Sequence, residues 1–475
     1  MVEALAVFDI GKTNIKLTLV DDDGRELVVR RRANVIRHDG LYPHHDVTAI
    51  ESWLLATLKE LAQQANITAI VPITHGATAA LVDALDLVLP IVDYEQGLPD
   101  AALAQQYEAL RAPFGQTCSP LLGQGLNLGR QLHWLQQRYP DAFGRARHLL
   151  MYPQYWAWRL CGVAAAEVSS LGCHTDLWQP AQADYSTLVS TCGWLPLMPP
   201  LRAAWDVLGN LQPHLAAATG LSPACRILCG AHDSNASLLR YLKATREGPR
   251  TVLSTGTWVI AAALDGRAEH LQEQSDMLCN VNVLGQPVSC MRFMGGREFA
   301  ELAGSPTQVC DIADLQMLID QHSMALPSFA DCGGPFAGKV GRLLGPLPAS
   351  AAQRYAMATL YCVLMTEYCL ELLDVQTPVV VEGSFTANPY FAPLLASLAG
   401  TPAVYCSSDN SGTTAGGWLL HHWQENERSA QLTLPAVATP LPLRGWQAYR
   451  QQWRILIEEL SEAGIASASI PVTIA

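Results

Sequence analysis

Asp233 is the side chain whose surroundings in the sequence best suit proton transfer. An apolar run, Arg226-Ile-Leu-Cys, stops at Gly230, and Ser-Asn-Ala-Ser-Leu-Leu after Asp233 can begin a helix. A carboxylate at a strand-to-helix junction can accept the proton of a substrate hydroxyl. Taken alone, an aspartate there is more often a helix cap, and Ser234 and Asn235 are further candidate caps. Two hairpins change that reading. In the first, Leu5-Ala-Val-Phe-Asp-Ile-Gly-Lys-Thr-Asn-Ile-Lys-Leu-Thr-Leu-Val, a strand ends near Asp9, turns through Gly11–Asn14 and returns with Ile15, Leu17 and Leu19 alternating. Gly11 lets backbone approach an anion, Lys12, Thr13 and Asn14 add donors, and Asp9 can hold Mg²⁺ directly or through water. The second, Thr251 to Leu264, repeats the design around Ser254, Thr255, Gly256 and Thr257. Two phosphate-cradling hairpins about 245 residues apart suggest two similar lobes facing each other.

Asp9-Ile-Gly-Lys-Thr, Gly230-Ala-His-Asp and Ser254-Thr-Gly-Thr resemble the first phosphate loop, the catalytic aspartate segment and the second phosphate loop of the FGGY carbohydrate kinases. Val379-Val-Val-Glu-Gly-Ser-Phe, Asn388-Pro and Leu394-Leu-Ala-Ser-Leu-Ala-Gly resemble that family's adenosine segment. Order and spacing agree along nearly the whole chain. The resemblance implies an α/β, two-lobed, actin-like (ribonuclease H-like) ATPase fold, with Mg·ATP and a sugar in a central cleft. It makes Asp233 the catalytic base, with Asp9 and Asp233 as the residues near Mg²⁺. It assigns the nucleotide to Gly11, Lys12, Thr13, Asn14, Ser254, Thr255, Gly256, Thr257, Gly383, Ser384 and Asn388. His75, Asp93, Gln154, His232 and Asp233 are the candidate sugar contacts. The family often has Trp, Arg and Asp or Lys where His75, the Asp93 segment and Gln154 stand, which points to a subgroup with its own sugar specificity.

The elements that must position these residues follow from periodicity. Strands are expected at Ala4–Asp9, Asn14–Val20, Glu26–Arg32 and Ile67–Ile73, with a helix over Ala49–Gln64. Arg37–Asp46 reads as a polar loop; its adjacent His44 and His45 suit solvent or a sugar hydroxyl better than a metal. Residues 100–160 read as helical and apolar, with Trp156 and Trp158 as core, and Glu167–Asp176 as a polar loop able to border the sugar. Phe293-Met-Gly-Gly is read equally as a plain helix start or as a loop near a ligand. A long helix is expected over Ala351–Leu373, a buried strand at Val379–Glu382 and a helix capped by Asn388. Gly416 and Gly417 read as close packing near the nucleotide, and Trp446–Ala463 as a final amphipathic helix. The lobe boundary is placed near Leu242–Pro249. Residues 1–245 then form the N-terminal lobe, with the sugar segment, first phosphate loop and catalytic Asp. Residues 246–475 form the C-terminal lobe, with the second phosphate loop and adenosine segment.

Length and composition bound the rest. A chain of 475 residues, 49% hydrophobic and 15% charged, is expected to pack as two domains. A net charge of −13 disfavours nucleic acid or an anionic membrane as partner. No apolar run of membrane-spanning length occurs, and the start lacks the basic-then-apolar pattern of a secretory signal. The 13 cysteines lie singly, as in a reduced cytoplasmic protein. The combined expectation is a cytoplasmic kinase transferring phosphate from ATP, with Mg²⁺, to a primary hydroxyl of a ketose, a pentulose such as D-xylulose first. Alternatives are a deoxyhexulose (L-rhamnulose or L-fuculose) or a non-catalytic sugar or nucleotide sensor on the same fold. Lobe closure would exclude water, and a homodimer is a family-level expectation.

Overall fold

A computed structural model describes residues 1–244, 248–305, 308–409, 411–425 and 435–462. The chain forms two compact units. The first comprises Met1–Ala244, Leu278–Val288 and the described part of Ser411–Leu432; the second comprises the described parts of Thr245–Met277, Ser289–Asn410 and Thr433–Ala475. The expected lobe boundary at residues 245 and 246, and the expected end of the last helix at Ala463, lie outside the described residues.

In the first unit, apolar alternation makes β1 (Glu3–Ile10), β2 (Asn14–Val20) and β3 (Glu26–Ala33) an antiparallel meander. β4 (Asn66–Thr74) joins β1 in parallel and carries a near-continuous buried run, the pattern of a strand covered on both faces. Arg226–Leu228 and Ala231–His232 also pair with β4 in parallel. The sheet order is therefore β3-β2-β1-β4-(Arg226–Leu228). The helix over Val47–Leu61 starts where Asp46 accepts the N–H of Ala49, and it buries Ile50, Leu54, Leu58 and Leu61. Each such side chain contributes about 1.5–3 kcal/mol by leaving water. Residues 100–160 are less uniformly helical than the sequence suggests: helices at Ala101–Leu110, Leu128–Arg138 and Tyr152–Cys161 are interrupted by a strand, His148–Met151. Trp156 and Trp158 are core residues.

The second unit repeats the plan. Thr251–Thr255 and Val259–Ala263 form an antiparallel hairpin that continues to Pro287–Phe293. On the other side Thr251–Thr255 pairs in parallel with Val379–Gly383, which pairs in parallel with Val404–Cys406. Both sheets thus share a five-strand centre, an antiparallel three-strand run whose first strand continues into two parallel ones. At the edges they differ, with Val207–Asn210 beside Arg226–Leu228 in the first, and Met277–Val281 beside Pro287–Phe293 and Ala436–Val437 beside Val404–Cys406 in the second. The helix Ala351–Leu372 is buried nearly all round and forms the spine of this unit's core.

Three local expectations are corrected. His44–His45 is a short strand paired with Ile36–Arg37, so His45 is buried rather than in a solvated loop. Neither Ser234 nor Asn235 caps the Asp233–Lys243 helix: Asp233 opens it, and its own Oδ1 accepts the Ser234 N–H at 2.6 Å. Asn388 does not begin a helix; that helix is Phe391–Ala396, and Asn388 instead bridges Thr359 Oγ1 and the Tyr390 N–H from a buried position.

Candidate active site

Sheet register builds the first unit's site. Ile10 pairs with Thr74, and Thr74 pairs with His232, so three adjacent parallel strands end level with one another. Their carboxyl ends present Asp9, His75 and His232-Asp233, the position at which open α/β sheets place ligands. Gly230 makes the bend before Ala231: its φ is +81°, and a Cβ there would overlap the carbonyl of Pro72 on β4.

Asp233 is half-buried at the first turn of its helix. Burial and the negative charge of Asp9 push its carboxyl up to about 6, opposed by His75 and by the Ser234 donors. Its Oδ1 accepts the Ser234 N–H at 2.6 Å and the Ser234 hydroxyl at 3.3 Å, and His232 Nε2 lies 3.2 Å from the same oxygen without being hydrogen-bonded to it.

Asp9 is held from two directions. The Thr413 hydroxyl donates to its Oδ2 at 2.6 Å, and Lys16 Nζ lies 3.3 Å from the same oxygen. Lys16 also reaches the hydroxyls of Thr413 and Thr414 at 3.4 Å. Thr413 comes from the helix Gly412–His421, which packs on the Asp233 helix and on β1 because Gly416 and Gly417 have no side chains to keep them apart. The close packing expected at this glycine pair is thus packing beneath Asp9 and Asp233.

His75 is buried, and its Nδ1 lies 3.0 Å from the carbonyl of Gly76. A carbonyl only accepts, so Nδ1 carries the proton and Nε2 is a bare acceptor. That Nε2 is buried and has no protein partner among the described residues. Burial lowers the basicity of the ring, so it is neutral near pH 7. Its neighbours are the rings of His45, Tyr94 and Tyr152 at 5.2–5.5 Å.

The structure distributes the remaining sequence candidates unevenly. Lys12 points to Asp93 and Glu95 rather than standing free, and lies over the Tyr94 ring at 5.1 Å. Asp93 is buried under that ion pair. Gly11 donates its N–H to Asn14 O, which closes the first hairpin turn, while Thr13 and Asn14 side chains bond each other at the surface. Gln154 is fully buried and props the carbonyls of Cys229 and Gly230. The Glu167–Asp176 segment does reach the site: Ser169 Oγ accepts the His232 N–H, and Cys173 Sγ lies 3.6 Å from His232 Nε2. Among the described residues no cluster of three or more metal-ligating side chains occurs.

The second unit carries its own cavity, of about 470 Å³, lined in part by Gly256, Thr257, Ser384 and Asn388. The Thr255 hydroxyl donates to Glu382 O and accepts the Phe385 N–H at 2.9 Å, tying the hairpin to the Gly383-Ser384 turn. Gly383 has φ +84°, and a Cβ there would overlap Thr255 O. Arg297 and Phe299, in the stretch that begins at Phe293-Met-Gly-Gly, also line this cavity, as does Tyr355, which no local sequence signal marks. Phe293-Met-Gly-Gly opens a helix, Gly295–Ala303, as one of its two readings has it, and Gly296 also lines the cavity and touches the Gly256 carbonyl so closely that no Cβ would fit. Lys16 and Thr413 were likewise not singled out in the sequence. Lys16 was within reach, since a turn at residues 11–13 sets it opposite Asp9.

The model of the FGGY family of carbohydrate kinases, N-terminal domain, matches residues 4–239, and that of carbohydrate kinase FGGY, C-terminal domain, matches residues 247–430. The chain belongs to the FGGY family of carbohydrate kinases. The crystal structure of a carbohydrate kinase from Novosphingobium aromaticivorans is 36% identical, with TM-score 0.88, covering 97% of this chain and 99% of that one. A ligand-bound xylulose kinase from Lactobacillus acidophilus, 13% identical with TM-score 0.80 over 98% of this chain and 99% of its own, shares the fold. These neighbours and the two mixed sheets bear out the actin-like fold class. Among curated proteins, an L-fuculokinase of Haemophilus influenzae is 26% identical over 284 residues, 55% of this chain and 58% of its own. The chain thus spans somewhat over half the length of that relative. No described helix is long and apolar enough to cross a membrane.

Proposed function

We propose that this protein is an ATP-dependent carbohydrate kinase that phosphorylates a primary hydroxyl of a ketose, with Asp233 as the base. One observation carries the reading: a carboxylate raised to about 6 by burial and by Asp9 stands where parallel strands end, beside a neutral, acceptor-only His75. At neutral pH Asp233 is ionised yet basic enough to take a hydroxyl proton. The sugar oxygen bonds to the γ-phosphorus, the bond to ADP breaks, and the proton passes to Asp233. His75 Nε2 accepts a second substrate hydroxyl and orients the sugar.

The cavity of the second unit suits the nucleotide: Gly256 and Gly296 bring side-chain-free backbone to its wall, Thr257 and Ser384 add hydroxyls, and Phe299 and Tyr355 offer aromatic surface. Asp9 and Asp233, two carboxylates that feel each other's charge, fit a Mg²⁺ held mainly by phosphates and water. When bound, that ion neutralises charge on the phosphates. We place the reaction in the cytoplasm.

The substrate is proposed as a pentulose such as D-xylulose, with the deoxyhexuloses L-rhamnulose and L-fuculose next. A family relative named L-fuculokinase and a fold neighbour named xylulose kinase support that range. Phosphorylation assays across pentuloses, deoxyhexuloses, glycerol and sugar acids test it: turnover confined to glycerol or a sugar acid overturns the ketose reading.

A further inference from the structure

We infer that Lys12 and Asp93 together bind substrate hydroxyls, so that the ammonium at the tip of the first hairpin serves the sugar and not the nucleotide phosphates. The inference rests on the kinase reading and names how that site holds its sugar. Lys12 follows Gly11 in the turn after β1, and Ile10 pairs with Thr74, so the turn stands level with His75. From there Lys12 Nζ donates to Asp93 Oδ1, with Glu95 Oε2 at 3.4 Å and the Tyr94 ring centroid at 5.1 Å. The Asp93 side chain is 1% exposed and that of Lys12 16%. An ammonium has three N–H groups, and among the described residues Asp93 alone accepts a hydrogen bond from this one. Donors left unpaired on a mostly buried cation are costly, so the remaining N–H groups call for a polar ligand. Asp93 Oδ1 also takes the Glu95 N–H at 3.3 Å, and Oδ2 takes Gln96 Nε2 at 3.4 Å, which fixes the carboxylate and leaves Oδ2 room for a further donor.

Two side chains link the pair to the base. The His75 ring is made less basic by burial; beyond that, Asp233 raises it and Lys12 lowers it, so it lies within reach of both charges. The Tyr94 ring is 5.5 Å from His75, and its hydroxyl is pushed up by burial and then by Glu95, Asp233 and Asp93. The charge balance separates the two possible ligands. Lys12 faces two carboxylates, Asp93 and Glu95, which leaves a net negative charge that repels a phosphate anion. A neutral polyhydroxyl meets no such repulsion. Lys12 donates to one hydroxyl, Asp93 accepts from a neighbouring one, and both bonds are charge-assisted.

The test compares the wild type with Lys12→Met and with the double variant Lys12→Met/Asp93→Asn, varying the best ketose and Mg·ATP separately in steady-state assays. Lys12→Met should raise the KM for the ketose about 10–10²-fold, the scale of a lost hydrogen bond to a charged group, with the KM for ATP within about twofold of wild type. The double variant should show the same split. It covers the case in which Lys12→Met does not fold, because it leaves no unpaired charge in place of the buried pair. Where turnover falls too low to measure, calorimetric titration with the ketose and with Mg·ATP reads the split directly. A rise in the KM for ATP larger than that for the ketose overturns the inference and returns Lys12 to the phosphates. Two unchanged KM values overturn it as well, since a purely structural ion pair gives that pattern. A wild type that binds and turns over no ketose overturns the kinase reading itself, and the inference with it.

Discussion

Asp9 and Lys16 stand directly opposite each other in the first hairpin, and Lys16 Nζ lies 3.3 Å from Asp9 Oδ2. The pair links sequence to chemistry in one step, because an antiparallel register with a tight turn at Gly11 sets the two side chains directly across from each other. Lys16 is largely buried, so its charge is poorly screened, and it holds Asp9 where that carboxylate can raise Asp233. Lys16→Met should keep the fold and lower kcat about 10²-fold, the scale of removing one preorganised charge. Steady-state kinetics beside a thermal melt checks both halves.

The pH dependence follows from Asp233. Burial and Asp9 raise its carboxyl to about 6, and only the ionised form accepts a proton. kcat/KM should therefore rise with pH up to about 6, change about tenfold per pH unit below it, and level off above. Asp9→Asn removes one of the two raising influences, so the acid limb of whatever activity remains should move to lower pH. A limb that stays in place would separate the two carboxylates.

Glu167 gives a stability prediction. It is fully buried, and burial raises its carboxyl from 4.5 to about 7 against the hydrogen bonds of Ser169 and Ser170. The folded protein thus holds this proton more tightly than the unfolded chain does. Its contribution is greatest below pH 4.5 and is lost as pH rises through about 7, a change of about 3 kcal/mol. Glu167→Gln should flatten the dependence of stability on pH across that window, measured by denaturant unfolding at several pH values.

Gly383 tests the second hairpin. Its φ of +84° and its contact with the Thr255 carbonyl leave no room for a Cβ. Gly383→Ala should cost about 2–4 kcal/mol of stability. It should also raise the KM for ATP more than that for the sugar. Thermal melts and the two KM values decide the outcome.

Much of the fold was legible because its strands are written in local patterns. Alternation marked β2, continuous apolar runs marked β1 and β4, and the two hairpins announced a repeated sheet. Asp233 was legible from the junction it occupies. What could not be read was partnership over distance. Lys12 looked like a free donor in a phosphate loop, yet it meets Asp93, 81 residues away. Thr413 reaches Asp9 across 404 residues. His45 looked like loop, because the pairing with Ile36 that buries it depends on a two-residue ladder too short to leave a period. The expected caps at Ser234 and Asn235 failed because Asp233 supplies its own acceptor and Asn235 is spent on His232.

The most direct measurement is ADP release from Mg·ATP with a panel of ketoses, polyols and sugar acids, run in parallel on wild type and Asp233→Asn. Turnover with a ketose, reduced about 10²–10⁴-fold in the variant while ATP binding and the thermal melt are retained, is the predicted result. A variant that keeps more than half of the wild-type rate, or a wild type that binds ATP and turns over no sugar, would contradict the assignment of Asp233 as the base of a sugar kinase.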